Sequence, residues 1–321
     1  MDDIDRQLLI QLQKEIPLQA RPFDVISRKL GIDDAEVMLR MTRLEETQEI
    51  HPIGGVFDAA CMGYQSTLVA MQVPEESVDP AGEIISRHPG VSICTKRRGG
   101  ELNLWFVLAL PPQEPLEEHV EWLRESVGAP KAFILRTLKR YKPVEKLKSE
   151  NQPAVLNERE IQTVRILQED FPVTDQPYQK LARPAGWTEE FLLNEARKLQ
   201  KRGFLKRMAA INWRRKKSAE SAIVMWQVPE EKADAAAAQI IKFSEVRFCE
   251  KRFSYAEWPY TLYALLEGVS EGDCGTFLRK IELRIGGWPS QCSFKENDYK
   301  KERLKYFSKE LENLLHNSVQ S

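Results

Sequence analysis

An excess of charge of either sign is missing from this sequence: 47 Lys and Arg stand against 48 Asp and Glu, a formal net charge of −1. No global field therefore draws the chain onto nucleic acid or an acidic membrane, so any attraction for an anion must come from local clusters. Long apolar runs are lacking too, which excludes a membrane-spanning helix. Cysteine is sparse and odd in number (Cys61, Cys94, Cys249, Cys274, Cys292), with no Cys-x-x-Cys spacing. That argues against a disulfide framework or a structural zinc site and suits a reducing cytoplasm. The acidic start, Met-Asp-Asp-Ile-Asp-Arg, is the reverse of a secretory leader. With 321 residues, the chain is long enough for two or three domains and a substantial core.

What is present is an internal repeat. Ile4, Leu8, Leu9 and Leu12 fall at helical spacing. Ile16-Pro17 ends that helix, Arg21-Pro22-Phe23 opens a second running to Leu30, and Gly31 turns into a third that reaches Glu46. Extended pieces over 50–57 and 64–73 follow, and three helices with a strand pair describe a winged helix-turn-helix. Next comes a strand over 65–73, a helix to His88, strands 91–98 and 102–110, a helix 114–127 and a strand 131–142. That βαββαβ order is ferredoxin-like. The pattern then restarts: Gln72-Val73-Pro74-Glu75-Glu76 recurs as Gln227-Val228-Pro229-Glu230-Glu231, and Val91, Cys94, Lys96 and Arg97 match Val246, Cys249, Lys251 and Arg252. Every pair is 155 residues apart, as in 227 − 72 and 252 − 97. A fixed register over that length means tandem duplication, and it predicts a pseudo-dimer within one chain whose two sheets face each other. The fold class is α+β, with helix-turn-helix units at 1–62 and 151–217 and ferredoxin-like units at 63–150 and 218–321. A charged junction containing two prolines, 142–157, separates the copies.

The second copy carries three extra residues after Arg252, in an aromatic loop. Over 245–263 strand alternation sets Val246, Phe248, Glu250 and Arg252 on one face and Arg247, Cys249 and Lys251 on the other. The loop brings Tyr255, Trp258 and Tyr260 near Lys251 and Arg252. Flat rings beside fixed cations suit a large, flat polyanion, because rings stack on its plane while guanidinium forks hold its carboxylates. The same pattern also fits an ordinary hairpin with a solvated charged edge.

The recognition helices argue against a DNA reader. They begin Ile32-Asp33-Asp34-Ala35-Glu36 and Trp187-Thr188-Glu189-Glu190, so carboxylates occupy the turn that would meet phosphate. Arg40 and Arg43 fall further along, on a face expected to be solvated, and Arg214-Arg215-Lys216-Lys217 is a basic wing turn.

Several motifs carry a family resemblance: Ile16-Pro17…Arg21-Pro22-Phe23, Gly54-Gly55-Val56-Phe57, Gly63-Tyr64-Gln65-Ser66-Thr67-Leu68-Val69-Ala70, Asn103-Leu104-Trp105-Phe106, Trp258-Pro259-Tyr260-Thr261-Leu262-Tyr263 and Tyr299-Lys300-Lys301…Tyr306-Phe307. On these the chain resembles the siroheme decarboxylases, AsnC/Lrp-like proteins, in a fused two-subunit form. The resemblance implies removal of two acetate carboxyl groups from siroheme, giving didecarboxysiroheme, without specific DNA binding. It implies siroheme, an iron tetrapyrrole, as substrate or ligand, no separate cofactor and no metal site of the protein's own. Where the family has a histidine, two residues after the valine opening the central strand, this sequence has Ile93 and Phe248. His88 at a helix end and His119 on a polar helix are read as structural or solvated.

The chemistry assigns roles. Arg252, Tyr255 and Lys251 are the candidate catalytic residues, and Lys96, Arg97, Trp105, Phe248, Trp258 and Tyr260 the candidate substrate contacts. Guanidinium and ammonium groups would clamp the carboxylates that do not react. Apolar walls would strip water from the one that does, and Tyr255, Tyr260 or Lys251 would return a proton. A tetrapyrrole-binding protein without catalysis and an Lrp-type regulator are the other classes this sequence admits. A homodimer of the whole chain is also expected to be open to it.

Overall fold

The computed structural model describes residues 1–47, 49–50, 52–142, 155–210, 221–267 and 271–318. The domain boundaries set at 150 and 217, and the basic run 214–217, lie outside these residues. In chain order the elements are α1 (Asp3–Lys14), α2 (Pro22–Leu30), α3 (Asp34–Glu46), β1 (Ile53–Phe57), β2 (Gln65–Gln72), α4 (Val78–Arg87), β3 (Val91–Arg98), β4 (Leu104–Leu110), α5 (Leu116–Ser126), β5 (Lys131–Leu135) and β6 (Thr137–Lys142). The second copy supplies α6 (Glu158–Leu167), α7 (Pro177–Ala182), α8 (Glu189–Lys201), β7 (Leu205–Ala210), β8 (Ser221–Trp226), α9 (Ala233–Ile240), β9 (Val246–Arg252), β10 (Leu262–Glu267), α10 (Glu271–Ile285), β11 (Ser290–Lys301) and α11 (Lys309–Ser318).

The chain forms two compact units, and each takes its parts from both copies. The first holds the helix-turn-helix segments, 1–64 and the described part of 149–215, together with 305–312. Capping boxes start the leading helix of each copy: Asp2 with Asp5 in α1, Asn157 with Glu160 in α6. The expected wing is not a pair within one copy. β1 pairs antiparallel with β7 of the other copy, Ile53 opposite Ala210, so each copy completes the other's wing. Gly54 and Gly55 leave β1 little side chain of its own, and a Cβ on Gly55 would meet the Phe57 ring at 2.7 Å.

Arg43 is on a solvated face, as expected, but Arg40 is largely covered, and both are ion-paired. Arg40 reaches Asp2 at 2.7 Å, Asp5 at 2.8 Å and Glu36 at 2.7 Å, and Arg43 reaches Asp5 at 2.7 Å. Hydrogen bonding from Arg40 holds the Asp2 carboxyl down at about 2. The cations of this recognition helix are thus spent on carboxylates of their own unit rather than offered to phosphate.

The second unit holds both ferredoxin-like segments in one nine-stranded sheet of order β5-β2-β4-β3-β11-β8-β10-β9-β6. Each copy contributes a four-stranded ferredoxin arrangement, and the copies are stitched by their last strands. β11 pairs with β8 of its own copy over 290–294 and with β3 of the first copy over 294–301. Reciprocally, segment 131–142 pairs with β2 of its own copy through β5 and with β9 of the other through β6. Both ends of the sheet are therefore halves of one bent segment, which leaves few edges to template further pairing.

Helices pack on the outer face. In the second copy Val224, Trp226, Ala237, Ile240, Cys249, Phe277 and Ile281 form that core. The inner face is shared: Ala70, Trp105, Phe133 and Leu135 of the first copy meet Ile223, Met225, Trp258 and Tyr263 of the second. The two facing sheets that were expected are one continuous sheet, whose inner side brings residues of both copies into a shared cluster. Strict alternation along β9 does not, because the register shifts between Leu265 and Leu266. Val246 lies in the helix-side core with Cys249 rather than with Phe248. A matching shift sits between Val91 and Ile93.

The exchange of strands is latched twice. The Tyr299 hydroxyl donates to Asp79 at the start of α4, and the Tyr141 hydroxyl donates to Asp234 at the start of α9. Gly82 makes room for the Tyr299 ring, since a Cβ there would lie 2.2 Å from it. Asp234 also receives Lys139 at 2.7 Å. Replacing Tyr299 with Phe is expected to cost about 1–2 kcal/mol and Tyr141 with Phe less, because Lys139 still satisfies its acceptor. Urea midpoints of the two variants check this order.

Candidate functional site

The inner face of the sheet unit carries the chemistry that the sequence concentrates there. On β3, Ile93, Thr95 and Arg97 point inward by alternation, as do Phe248, Glu250 and Arg252 on β9. Arg97 lies over the Trp105 ring at 5.7 Å and Arg252 over Tyr263 at 5.6 Å. Beyond the three-residue insertion the offset between copies is 158, which makes Tyr263 the counterpart of Trp105 and Ser293 the counterpart of Leu135 (263 − 105, 293 − 135). Each arginine hydrogen-bonds a carbonyl of the other copy at these matching positions. Arg97 Nη2 donates to Ser293 O at 2.6 Å, and Arg252 Nη1 donates to Leu135 O at 2.5 Å.

The likeness ends with what surrounds each guanidinium. Arg97 Nε donates to the Ser293 hydroxyl at 2.9 Å. Leu135 has no hydroxyl, and Arg252 Nε is buried without an acceptor among the described residues. Arg252 is instead paired with Glu250, whose carboxylate also accepts from Arg140 Nε at 2.7 Å and Thr137 at 3.1 Å. The first copy has Thr95 where the second has Glu250 (250 − 95 = 155), and the Thr95 hydroxyl donates to Trp105 O. Among the described residues no carboxylate forms an ion pair with Arg97, although it is only 5% exposed. Burial pushes its guanidinium down to about 10, with the charge of Asp298 opposing, so it stays cationic at neutral pH.

The lysines leave the site. Lys251 points to the helix side and pairs with Glu230, and Lys96 pairs with Glu75 at 2.8 Å and Glu296 at 3.4 Å. They stand one residue from the arginines, so the pleat sends them the opposite way. The hydrogen bond to Glu75 raises the Lys96 pKa, which makes it a poorer proton donor. The expectation that Lys251 works beside Arg252 is therefore corrected.

The aromatic residues do converge. Trp258 is buried, packs at 6.1 Å on Phe133 of the first copy, and donates from Nε1 to the Tyr263 hydroxyl at 2.8 Å. Tyr255 lies 5.0 Å from Phe133 and donates to Ile134 O at 2.9 Å. Tyr260 is edge-on to Trp258 at 4.9 Å, and among the described residues its hydroxyl has no protein partner. Phe248, Tyr255 and Tyr260 are the partly exposed aromatic members of this cluster, with Leu68 and Leu265 beside them. Burial raises the Tyr255 pKa, so its phenol remains protonated. Trp105 is buried and its indole donates to Leu102 O at 2.8 Å.

Among the described residues no histidine lies on the inner face. His88 and His119 form a buried pair on the helix side, ring nitrogens 2.7 Å apart, so His119 is not solvated. Cys94 and Cys249 also face the helices, away from the inner face, and burial pushes both thiols up to about 12, so they stand there as neutral buried thiols. Sequence reasoning missed Ser293, Gln291 and the restraint of Arg252 by Glu250. The repeat held the signal, since the 158-residue offset aligns Ser293 with Leu135 and the 155-residue offset aligns Glu250 with Thr95.

Comparison with known proteins agrees with this architecture. The AsnC-like ligand binding domain family matches residues 61–142 and 218–300, and the siroheme decarboxylase NirDL-like HTH domain family matches 5–50 and 160–205. A paired AsnC-like ligand-binding domain, each half preceded by a helix-turn-helix, is the class this fold and site define. The siroheme decarboxylase of Hydrogenobacter thermophilus is 28% identical over 97% of both chains. The siroheme decarboxylase alpha subunit of Nitratidesulfovibrio vulgaris is 34% identical over 40% of this chain and 73% of its own. The crystal structure of the siroheme decarboxylase NirDL in co-complex with an iron-uroporphyrin III analogue superposes with a TM-score of 0.85 at 28% identity, covering 99% of both chains. The chain belongs to the siroheme decarboxylase family, with both copies on one polypeptide.

Proposed function

We propose that this protein is a carboxy-lyase that removes two acetate carboxyl groups from siroheme to give didecarboxysiroheme. The observation that carries this reading is the end-to-end likeness to a siroheme decarboxylase whose structure holds an iron-uroporphyrin analogue. The inner face supplies a chemistry that fits. Losing carbon dioxide from a ring acetate requires a carboxylate stripped of water, a macrocycle that accepts the electron pair, and a proton for the new methyl carbon. Phe248, Trp258 and Trp105 provide apolar walls that weaken hydration of the reacting carboxylate. Arg97 fixes a carboxylate that does not react, which orients the ring. Tyr260, half-buried with a hydroxyl unengaged among the described residues, is the phenol best placed to return the proton, and Tyr255 stands beside it already bound to a carbonyl.

Specific DNA binding is not part of this function, a reading supported by the Arg40 and Arg43 ion pairs. No helix among the described residues is long and apolar enough to cross a membrane. Five unbridged thiols support a reducing compartment, the cytoplasm.

Ile93 and Phe248 favour a second reading, a tetrapyrrole-binding protein without catalysis, because no imidazole reaches the inner face among the described residues. Anaerobic incubation with siroheme followed by mass analysis separates the two. Loss of two carbon dioxide units is expected. Optical binding with the pigment recovered intact would establish the second reading instead.

A further inference from the structure

Glu250 stands where a bound acid would stand. It is the carboxylate on the Arg252 guanidinium, it is itself buried, and it draws in Arg140 and Thr137 as well. Glu250 already occupies the Arg252 guanidinium at hydrogen-bond distance, and although Arg140, more than half exposed, leaves the cluster one net positive charge, a substrate acid placed on Arg252 would meet like-charge repulsion from Glu250. The same half is covered by the longer loop. Phe253 N donates to Arg136 O at 2.9 Å, Tyr255 binds Ile134 O, and Trp258 packs on Phe133.

The counterpart half is built the other way. Arg97 retains its charge, with the Ser293 hydroxyl and carbonyl fixing Nε and Nη2 while Nη1 has no acceptor among the described residues. Its loop is the short Gly99-Gly100 turn, and in place of Phe133 it has Gln291 (291 − 133 = 158), whose amide donates to Gly99 O at 3.2 Å. One half is polar with an uncompensated cation, the other aromatic with a compensated one.

We propose that the two pseudo-symmetric halves are not equivalent: Arg97, with Ser293, Gln291 and the Gly99-Gly100 turn, is the single acid-binding half-site of the chain, and Glu250 closes the Arg252 half by occupying it as an internal carboxylate. This rests on the tetrapyrrole reading above and adds which arginine holds the ring acid and how many rings bind.

The test is an optical titration of the full chain with uroporphyrin, which carries eight carboxylates, and with mesoporphyrin, which carries two. One uroporphyrin per chain is expected. Arg97→Gln is expected to weaken uroporphyrin at least tenfold further than Arg252→Gln does, and to weaken mesoporphyrin much less. Equal losses for the two porphyrins would mean that Arg97 only supports the fold and would overturn the assignment, as would two uroporphyrins per wild-type chain. Glu250→Gln leaves the Arg252 and Arg140 guanidiniums uncompensated and is expected to add a second, weaker uroporphyrin event. A titration that stays at one site in that variant would show that Glu250 is not what closes the half. If the wild-type chain bound neither porphyrin, the tetrapyrrole reading itself would fail and take the half-site with it.

Discussion

Replacing Gly99 with alanine is expected to lower the stability of the sheet unit by about 2–4 kcal/mol, a severe loss for a position outside the core. Gly99 turns β3 into β4 at φ +97°, a backbone region that side chains of L-residues avoid. A Cβ there would also lie 2.6 Å from the carbonyl oxygen of Cys292 on β11, and that atom is backbone, held in the ladder with β8. The strand cannot yield without disturbing Ser293, the next residue and the anchor of Arg97. Gly128 supplies the control. It also has a positive φ, +64°, but nothing lies within 4 Å of its Cβ position, so Gly128→Ala costs only the backbone term of about 1–2 kcal/mol. Urea unfolding followed by tryptophan fluorescence, to which buried Trp105, Trp226 and Trp258 contribute, measures both. Equal losses would show that the approach of β11 does not restrict this turn. Weakened porphyrin binding in Gly99→Ala alone would tie the turn to Arg97.

Stability is expected to fall by about 2–4 kcal/mol between pH 7 and pH 5 because of two buried imidazoles, an effect that His119→Gln should roughly halve. His88 and His119 sit with Nε2 against Nε2 at 2.7 Å, and Gly90 N donates to His88 Nδ1 at 3.0 Å. His88 therefore carries its proton on Nε2 and donates it to His119, whose own proton is on Nδ1. Adding a proton to His88 would break the Gly90 bond, and adding one to His119 would set two N–H groups head-on. Burial lowers the His88 pKa to about 3, helped by His119 and by Lys300, which caps the His88 carbonyl at 3.1 Å; burial alone lowers His119 to about 4. Both folded pKa values lie below the unfolded value of about 6.5. The stabilisation is thus complete above pH 6.5 and is lost as the pH falls, since the unfolded chain takes up protons that the folded one refuses. Two such groups give a slope of about 2.7 kcal/mol per pH unit at most. Thermal midpoints of wild type and His119→Gln from pH 7 to pH 5 check the sign and the factor; parallel curves would mean that the pair does not titrate on unfolding.

The inward course of Arg97 and Arg252, and of Phe248 between the copies, was legible because strand alternation is a local rule that survives folding. The same rule disposed of Lys96 and Lys251, which stand next to the arginines in sequence and point away from them in space. It failed at Val246, where a bulge adds a residue and reverses the face. The aromatic loop was legible as aromatic, and its Trp258 and Tyr255 do gather on the inner face, but their partner Phe133 lies more than a hundred residues away. Arg40 was misplaced, and the ion pair of exposed Arg43 missed, for the same reason: their carboxylate partner Asp5 belongs to α1, and no spacing within α3 announces it.

By itself the sequence determined the duplication, the order of elements in each copy and the pairing of equivalent residues, since a constant offset and the periods of helix and strand are written along the chain. Only the tertiary structure decided that each copy completes the other's wing and lends the other its last strand, because backbone hydrogen bonds between distant strands leave no mark on either segment alone. It also decided the fate of the two arginines. A charge's reach depends on what else is buried within a few ångströms, and at Arg252 that neighbour is Glu250, whereas at Arg97 it is the hydroxyl of Ser293.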